Sequence, residues 1–452
     1  MEPTREISQP IFSARALKLL IAPLILEQLL AMTVGMADTV MLTTVGEAAV
    51  SGVALVDVIN NLVIQILAAL ATGGAVVCSQ YLGRHDEHNA REAARQLLYT
   101  ALVFALVMTG LLLGFRRIVL RTVFGNLEAS VMDSAQVYFL FTGLSFPFLA
   151  IYNSCAALYR SMGNSHVSLL ASALMNVINI GGNAILIYVL GMGAAGAAIA
   201  TLVSRAIAAM LMLMLIRNHR NPIYLEQLHH VKFNSQMVRS ILRIGIPSGM
   251  ENGIFHFGKL IVQTLTASLG TSAIAANAIV NSISSILVVP GSAVGLSMIT
   301  VVGQCVGAGD YRQAVQYTKK LMLLAYGCLL LLNLPLLLIY RPLIGLFHLS
   351  TEASNLAIQI LPLLTITHII FWPMAFTFPN ALRAAGDARF TMIVSIISMW
   401  TLRVGMSYVL VLVFKLGLPG IWYAMYFDWI LRIICFVIRF SGNRWKNKKV
   451  IL

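Results

Sequence analysis

Long stretches without a charged residue constrain this chain more than any other feature. The uncharged stretches cover residues 97–114, 134–159, 161–204, 260–309, 321–340 and 353–382. An α-helix needs about 20 apolar residues to cross the hydrocarbon core of a bilayer, so the longest stretches can each hold two crossings. Of the 452 residues, 59% are hydrophobic and 11% are charged, and the mean hydropathy is +0.84. This composition excludes a water-soluble domain and indicates that lipid surrounds the chain.

Breaks at glycine, proline and charge clusters divide the chain into predicted membrane helices. They lie near residues 16–42, 54–82, 93–114, 134–158, 165–190, 194–216, 240–268, 276–305, 320–340, 356–381, 390–413 and 419–439. Membrane-spanning β-strands would show period-two alternation, and these segments do not. We therefore predict an all-α, polytopic membrane protein with twelve transmembrane helices.

The basic residues predict the orientation of the chain in the membrane. If both termini lie on one side, that side collects Arg5, Arg15, Lys18, Arg84, Arg91, Arg95, Arg160, Arg217, Arg220, Lys232, Arg239, Arg243, Arg312, Lys319, Lys320, Arg383, Arg389, Arg439, Arg444, Lys446, Lys448 and Lys449. The opposite side has only Arg116, Arg117, Arg121, Arg341 and Lys415. This bias predicts cytoplasmic termini in a plasma membrane, the inner membrane of a bacterium. It also explains the net charge of +14 without a nucleic-acid partner.

Motifs for enzymatic chemistry are missing from the sequence. It contains no nucleophile elbow, Walker loop or dinucleotide glycine motif, so we predict neither an enzyme nor a cofactor. Without ATP-binding machinery, uphill transport must use an ion gradient. The five cysteines lie in or beside predicted spans without metal-ligand spacing, and we interpret them as packing residues. The polar amino terminus lacks the pattern of a cleavable signal peptide.

An internal repeat divides the chain into two similar halves. An offset of 224 positions aligns Pro23 with Pro247, Glu27 with Glu251, Gly46 with Gly270, Gln80 with Gln304, Gly83 with Gly307, Asp86 with Asp310 and Gly196 with Gly420. So many matches at one offset indicate duplication, with six helices in residues 1–224 and six in residues 225–452. An even number of helices gives both halves the same orientation and predicts a substrate site between them, near mid-membrane. In the repeated Gln…Gly…Asp loops, glycine can end one helix and aspartate can cap the next.

Charged residues inside predicted spans are candidates for function, because each costs a few kcal/mol to insert. Glu27 and Asp38 share one face of helix 1, since eleven residues return a helix to within about 20°. We interpret Asp38 as functional, whereas Glu27 either takes part in transport or contacts water near the surface. Arg432 follows Asp428 by four residues, which predicts a structural ion pair.

Asparagines add a polar face to helix 5. Asn176, Asn179 and Asn183 are spaced by three and four residues, which stacks their amides on one side of the helix. Such amides can simply hold helices together. Beside a carboxylate, they could instead complete an oxygen cage for a cation or hydrogen-bond a protonated acid.

Polar residues also crowd the second half. Helix 7 carries Glu251, Asn252, His256 and Lys259, and helix 8 carries Asn281 at the repeat position of Asp57. Glu251 could form a packing ion pair with Lys259 or titrate during transport. No two histidines share a ligand-type spacing within a span, so we interpret His256 as a polar residue and not as a metal ligand.

Several of these segments together resemble the multidrug and toxic compound extrusion (MATE) family. They are PLILEQ (23–28), GMADTVM (35–41), both Gln…Gly…Asp loops, Asn179 to Asn183, GIPSGMEN (245–252) and RAAGD (383–387). The resemblance covers nearly the whole chain. It implies two six-helix bundles in a V shape and export of organic, often cationic compounds against H⁺ or Na⁺ by alternating access.

The resemblance also implies roles for particular residues. The family's helix 1 aspartate falls on Asp38, its helix 5 asparagine on Asn179 and its helix 7 glutamate on Glu251. The sequence departs from the family at Asn183, where many members have aspartate, and helix 10 has no acidic residue near Trp372. These departures leave the coupling ion open.

We therefore predict a secondary active multidrug antiporter that acts as a monomer. Asp38, Asn179 and Asn183 are the predicted coupling site for H⁺ or Na⁺, and a bound Na⁺ would lie there. Candidates for the substrate cleft are Glu27, Asp57, Glu251, Asn252, His256, Lys259 and Asn281. One alternative is a lipid-linked oligosaccharide flippase, which needs a basic groove for pyrophosphate. A second alternative, a non-transporting receptor or scaffold, fits the duplication and the intramembrane acids less well.

Overall fold

Helices form all the regular structure in the part of the chain that the structure describes. The computed structural model describes residues 10–125, 128–226, 232–448 and 450–451, so the predicted cytoplasmic charges Arg5 and Lys449 lie outside it. The first half contains α1 (Ala14–Thr43), α2 (Glu47–Gly83), α3 (Glu87–Gly114), α4 (Arg116–Phe124), α5 (Ala129–Leu144), α6 (Phe146–Ser161), α7 (Ser165–Asn183) and α8 (Gly193–Leu215). The second half contains α9 (Ser235–Ala267), α10 (Thr271–Leu287), α11 (Val289–Gly307), α12 (Tyr311–Gly345), α13 (Thr351–Ile370), α14 (Pro379–Ala384), α15 (Ala388–Ser398), α16 (Met406–Tyr408) and α17 (Gly417–Ser441).

These helices join into twelve membrane-length stretches, which confirms the predicted fold class. Within the described ranges, ten helices are long and apolar enough to cross a membrane, or eleven if the bent pair α5 and α6 forms one span. The twelfth is α9, which has 33 residues but carries Arg239, Arg243, Glu251 and Lys259. Short π-helical segments extend or link some stretches, including Ala184–Val189 directly after α7 and Met399–Gly405 after α15.

Some predicted spans are less regular than the sequence suggested. The predicted helix 134–158 bends by 43° between α5 and α6, and the predicted helix 276–305 breaks between α10 and α11. A proline lies in the first turn of each following helix, Pro147 in α6 and Pro290 in α11. Proline has no N–H to donate and its ring clashes with the preceding turn, which explains why both breaks occur there.

The repeated loops have the predicted structure. Gly83 ends α2 and Gly307 ends α11. Asp86 accepts a hydrogen bond from the backbone N–H of Asn89 at 3.1 Å, and Asp310 accepts one from Gln313 at 2.9 Å. The two aspartates thus cap α3 and α12, which confirms the structural interpretation of these loops.

Removing one of these caps should lower stability measurably. Asn89 also donates its side-chain N–H to Asp86 at 2.7 Å, and these bonds lower the pKa of the Asp86 carboxyl group. The lowered pKa means that the cap stabilises the fold above about pH 4 and that this contribution is lost as the pH falls through the folded-state pKa. We expect Asp86→Ala to cost about 1 kcal/mol at neutral pH, measured as a lower melting temperature of the purified protein.

A suitable control for Asp86→Ala is Glu128→Ala. Glu128 lies at the N-cap position of α5 but makes no side-chain capping bond. Equal melting temperatures for the two variants at neutral pH would contradict the capping role of Asp86.

The two halves meet at the ends of α2 and α11. A Cβ atom at Gly83 would overlap the backbone of Gln304, and one at Gly307 would overlap the backbone of Gln80. Gln80 donates to the carbonyl of Ala384 at 2.7 Å, and Gln304 donates to the carbonyl of Ser161 at 2.8 Å. Each half therefore contributes an equivalent glycine and an equivalent glutamine to the interface. This symmetry is expected for two halves that arose by duplication.

The hydrophobic core extends across this interface. Leu20, Ile21 and Leu24 of α1 are buried in one cluster with residues of α11 and α12, including Met298 and Tyr317. The first turns of α1 therefore pack against the second half of the chain. The predicted division into lobes at residues 224 and 225 stays a prediction.

Candidate functional site

The first half encloses a cavity of about 650 Å³ between α1, α2, α5, α6, α7 and α8. Four charged residues line it: Glu27, Asp38, Asp57 and Arg205. With three carboxylates and one guanidinium group, this first-half cavity carries an excess of negative charge. Such a cavity attracts cations, because field lines are focused in a cleft with low-dielectric walls.

Asp38 and helix α7 come together at this cavity. Asn176, Asn179 and Asn183 are all buried on one face of α7, as their spacing predicted. Asn183 donates its amide N–H to Asp38 Oδ1 at 2.6 Å, across 145 positions of sequence. The π-helical segment begins directly after Asn183, and π-helical turns in α-helices are frequent at functional sites.

The amide oxygens beside Asp38 are acceptors without donors. Asn179 donates to Thr201 Oγ1 at 3.2 Å, and Asn183 donates to Asp38. Within the described residues, Oδ1 of Asn179 and Oδ1 of Asn183 are buried without a hydrogen-bond partner. Buried polar atoms are nearly always paired, and oxygen atoms are the ligands that hard cations prefer. The donor set therefore fits a cation as a transported ion.

Asp57 is held by neighbours from two helices. Its Oδ1 accepts hydrogen bonds from Tyr138 at 3.2 Å and from Asn60 at 3.3 Å. Arg205 of α8 donates to Ser145 Oγ at 2.7 Å instead of bonding directly to either aspartate. Asp57 and Arg205 thus line the first-half cavity in fixed positions, and the role of Asp57 in substrate binding stays a prediction.

Glu27 is not the surface residue that one interpretation suggested. Its side chain is buried and forms an ion pair with Arg160 at 3.3 Å, and it accepts a hydrogen bond from Ser168 at 2.7 Å. It also lines the first-half cavity. The interpretation of Glu27 as a water-contacting residue is therefore wrong, because α6 and α7 cover it.

Glu251 has a different partner from the one considered in the sequence. It pairs with Arg383 at 2.7 Å, not with Lys259, and accepts hydrogen bonds from Ser395 at 2.6 Å and Thr391 at 3.4 Å. The pairing with Lys259 is therefore wrong: Lys259 lies about two helical turns further along α9, whereas Arg383 comes from α14. Neither Glu251 nor Asn252 lines the described cavities.

The two glutamates occupy equivalent sites in the two halves. Glu27 and Glu251 align at the repeat offset, and so do Arg160 and Arg383 with one residue of slippage. From their positions in the sequence, both arginines were expected among the charges on the cytoplasmic side. The structure turns their side chains inward, where they are 17% and 15% exposed. The repetition of the arginines together with the glutamates was the signal that could have revealed these pairs.

A second cavity, of about 610 Å³, lies between the halves. Residues of α2 line one wall, and residues of α9 and α10 line the other. His256, Lys259 and Asn281 face this interlobe cleft, and their part in substrate binding stays a prediction. Asn61 of α2 lines both the interlobe cleft and the first-half cavity, so the two spaces adjoin.

The predicted ion pair of α17 is present. Arg432 Nε lies 2.8 Å from Asp428 Oδ1, and both side chains are almost completely buried. This confirms the local pair expected from their spacing of four residues. Within the described ranges, no group of three or more His, Cys, Asp or Glu side chains could hold a metal ion.

Comparison with known proteins identifies the family. The MatE family profile matches residues 23–185 and again residues 247–409. The two matches begin 224 residues apart, which is the spacing of the internal repeat. Together they cover more than half of the chain.

Full-length relatives and a solved structure agree with this match. The chain is 28% identical to the probable multidrug resistance protein NorM of Thermotoga maritima, over 94% of this chain and 91% of that protein. It is 27% identical to the uncharacterized transporter YisQ of Bacillus subtilis, over 94% of each chain. A structure of a multidrug resistance MATE family transporter in an outward-facing conformation superimposes with a TM-score of 0.89 at 20% identity, covering 96% of both chains. The chain is therefore a membrane transporter, not an enzyme, and belongs to the multidrug and toxic compound extrusion family.

Proposed function

We propose that this transporter exports organic compounds, many of them cationic, by antiport with H⁺ or Na⁺. The observation that carries the proposal is the contact between Asp38 and Asn183 at 2.6 Å in an acidic cavity inside the membrane. A charged side chain within the bilayer is costly to insert, which makes a transport role its default explanation. Relatives named as multidrug resistance proteins support the same class of substrate.

Asp38, Asn179 and Asn183 are the proposed coupling site. Asp38 supplies the negative charge, and the buried amide oxygens of Asn179 and Asn183 supply acceptors that lack donors in the described structure. H⁺ would bind to the carboxylate itself, whereas Na⁺ would lie between the carboxylate and the amide oxygens. Either ion can drive export only if it binds the inward and outward states with different affinities.

The two cavities supply the proposed path for substrate. Their volumes, about 650 Å³ and about 610 Å³, are in the range of pockets that bind drug-sized compounds. Asp57 gives the first-half cavity affinity for cations, and Glu27, whose charge Arg160 pairs, forms part of its wall. His256, Lys259 and Asn281 line the adjoining interlobe cleft. Glu251 has its charge paired by Arg383, so we assign it to packing of the second half.

The contact between the halves supports alternating access. Gly83 and Gly307 pack the halves together at the end of the molecule that carries the Asp86 and Asp310 loops. The positive-inside bias of the basic residues supports a cytoplasmic position for these loops, in a bacterial inner membrane. With this end closed, the interlobe cleft belongs to the outward-facing state of a transporter that works as a monomer.

Transport measured in proteoliposomes tests the proposed function. We expect the purified full-length protein to move a cationic fluorescent dye under an imposed pH gradient or an imposed sodium gradient, and the effective gradient identifies the coupling ion. The initial rate of dye flux should rise roughly tenfold or more over that in vesicles without a gradient. A factor of this size corresponds to a typical coupling free energy of about 1–3 kcal/mol. Flux that is the same with and without either gradient would refute the antiport.

The two alternatives from the sequence have less support. A pyrophosphate-binding flippase groove needs several basic residues. Beside the interlobe cleft, two cations, Lys259 and Arg403, line the second-half pocket, while Arg432 is already neutralised by Asp428. A receptor or scaffold would not require an acidic cavity next to buried amide acceptors. Dye flux driven by an ion gradient would separate both alternatives from an exporter.

A further inference from the structure

The second half carries an unexpected excess of positive charge. Lys259 of α9 and Arg403 of the π-helical segment after α15 line one pocket of about 40 Å³, together with Gln263, Asn277 and Asn281. Lys259 and the three amide residues also face the interlobe cleft, so the pocket opens from that cleft. A space of this size holds a few water-sized groups, which is enough for a small polar group of a larger ligand.

The charges around this pocket do not balance. Asp428 is paired closely with Arg432, whose Nε lies at 2.8 Å, while Arg403 approaches the other carboxylate oxygen only to 3.8 Å. Lys259 has no carboxylate partner and no hydrogen-bond acceptor among the described residues. Lys259 and Arg403, the two cations that line the pocket, therefore lack a close carboxylate partner among the described residues.

An aromatic ring partly compensates this charge. Phe255 lies near both cations, with Lys259 Nζ 5.9 Å and the Arg403 guanidinium carbon 5.4 Å from its ring centre. Cation–π contacts of this kind contribute modestly and leave the charge available to a stronger partner. Gln263 accepts a hydrogen bond from Asn277 at 3.1 Å, so its exposed amide N–H groups remain available as donors at the same pocket.

We propose that Lys259 and Arg403 form a subsite for a carboxylate group on a transported organic compound. A guanidinium group can bind a carboxylate with two parallel hydrogen bonds, and a lysine adds a compact charge. The subsite rests on the proposed function, because it assumes that the interlobe cleft binds substrate. A substrate that carries both charges would bind with its cationic group toward the first-half cavity and its carboxylate toward Lys259 and Arg403.

The test compares two ligands that differ only in this group. A rhodamine dye with a free carboxylic acid and its methyl ester are titrated against the purified full-length protein in nanodiscs, with binding followed by fluorescence anisotropy. We expect Lys259→Gln to weaken binding of the acid roughly tenfold and to leave binding of the ester unchanged, since a hydrogen bond to a charged group is lost. Arg403→Gln should act in the same direction.

The matched control is Lys319→Gln, which removes an exposed lysine of α12 away from both cavities and should change neither affinity. Equal weakening of acid and ester, or no weakening of either, in Lys259→Gln would overturn the subsite. Loss of acid binding when phosphatidylglycerol replaces phosphatidylcholine in the nanodiscs would assign the pocket to a lipid headgroup and also overturn it. Lys259 is exposed to the cleft, so its variant tests the proposal even if Arg403→Gln fails to fold.

These binding measurements need no ion gradient, and this separates the two proposals. Acid-selective binding that depends on Lys259, without gradient-driven transport, would keep the subsite and refute the antiport. Gradient-driven transport of the ester, together with acid binding that does not depend on Lys259, would keep the antiport and refute the subsite.

Discussion

Asp38→Asn is expected to abolish export driven by an ion gradient. The amide keeps an oxygen that can accept the hydrogen bond from Asn183, now at 2.6 Å, so the local geometry should survive. It removes the negative charge that would bind H⁺ or Na⁺, and an ion that binds both states equally cannot drive transport. We expect the initial rate of dye flux under the effective gradient to fall roughly tenfold or more, to the rate without a gradient.

The matched control for this variant is Asp133→Asn. Asp133 is an exposed carboxylate of α5 and does not line the first-half cavity, so the same substitution there should leave export unchanged. Melting temperatures of both variants should stay close to that of the wild type. Export by Asp38→Asn at the rate of Asp133→Asn would remove Asp38 from the mechanism.

Arg383→Met should cause the largest loss of stability among the variants considered. Glu251 is only 7% exposed, and its carboxylate depends on Arg383 at 2.7 Å for charge compensation. Removing one partner of a buried ion pair leaves an uncompensated charge and typically costs about 3–5 kcal/mol. We expect a clear drop in the melting temperature of the protein purified in detergent.

A double variant separates this charge effect from a loss of packing. Adding Glu251→Gln should recover most of the lost stability, because a neutral amide can still accept the hydrogen bond from Ser395. Arg312→Met is the control, since Arg312 is exposed at the start of α12. The assigned role of this ion pair would be contradicted if the double variant had a lower melting temperature than Arg383→Met. It would also be contradicted if Arg383→Met had the same melting temperature as the control Arg312→Met.

The same buried ion pair occurs at equivalent positions in both halves of the repeat. Glu27 pairs with Arg160 and Ser168 in the first half as Glu251 pairs with Arg383 and Thr391 in the second. Both halves therefore inherit the same buried ion pair, which links the first helix of each half to later helices. The halves differ in their cavities, where Asp57 in the first half is replaced by Asn281 in the second.

Membrane spans and helix ends could be predicted because they depend on local sequence. Uncharged stretches of about 20 residues specify a membrane helix by length and polarity alone. Asp86 and Asp310 lie three residues before the backbone N–H groups that they cap, so their role follows from spacing. The bends at Pro147 and Pro290 were local signals too, but uniform hydrophobicity across them hid the breaks.

The amino-acid sequence by itself determined the solvent of this protein, its twelve helical stretches, its duplicated halves and the short list of polar residues inside them. Only the tertiary structure decided which of those residues meet. Asn183 reaches Asp38 from 145 positions away, and Arg383 reaches Glu251 from 132 positions away, while nearby Lys259 remains without a carboxylate partner in the described chain. The reason is physical: spacing fixes the face of a helix on which a side chain lies, but the packing of distant helices decides which groups are close enough to pair and which face a cavity.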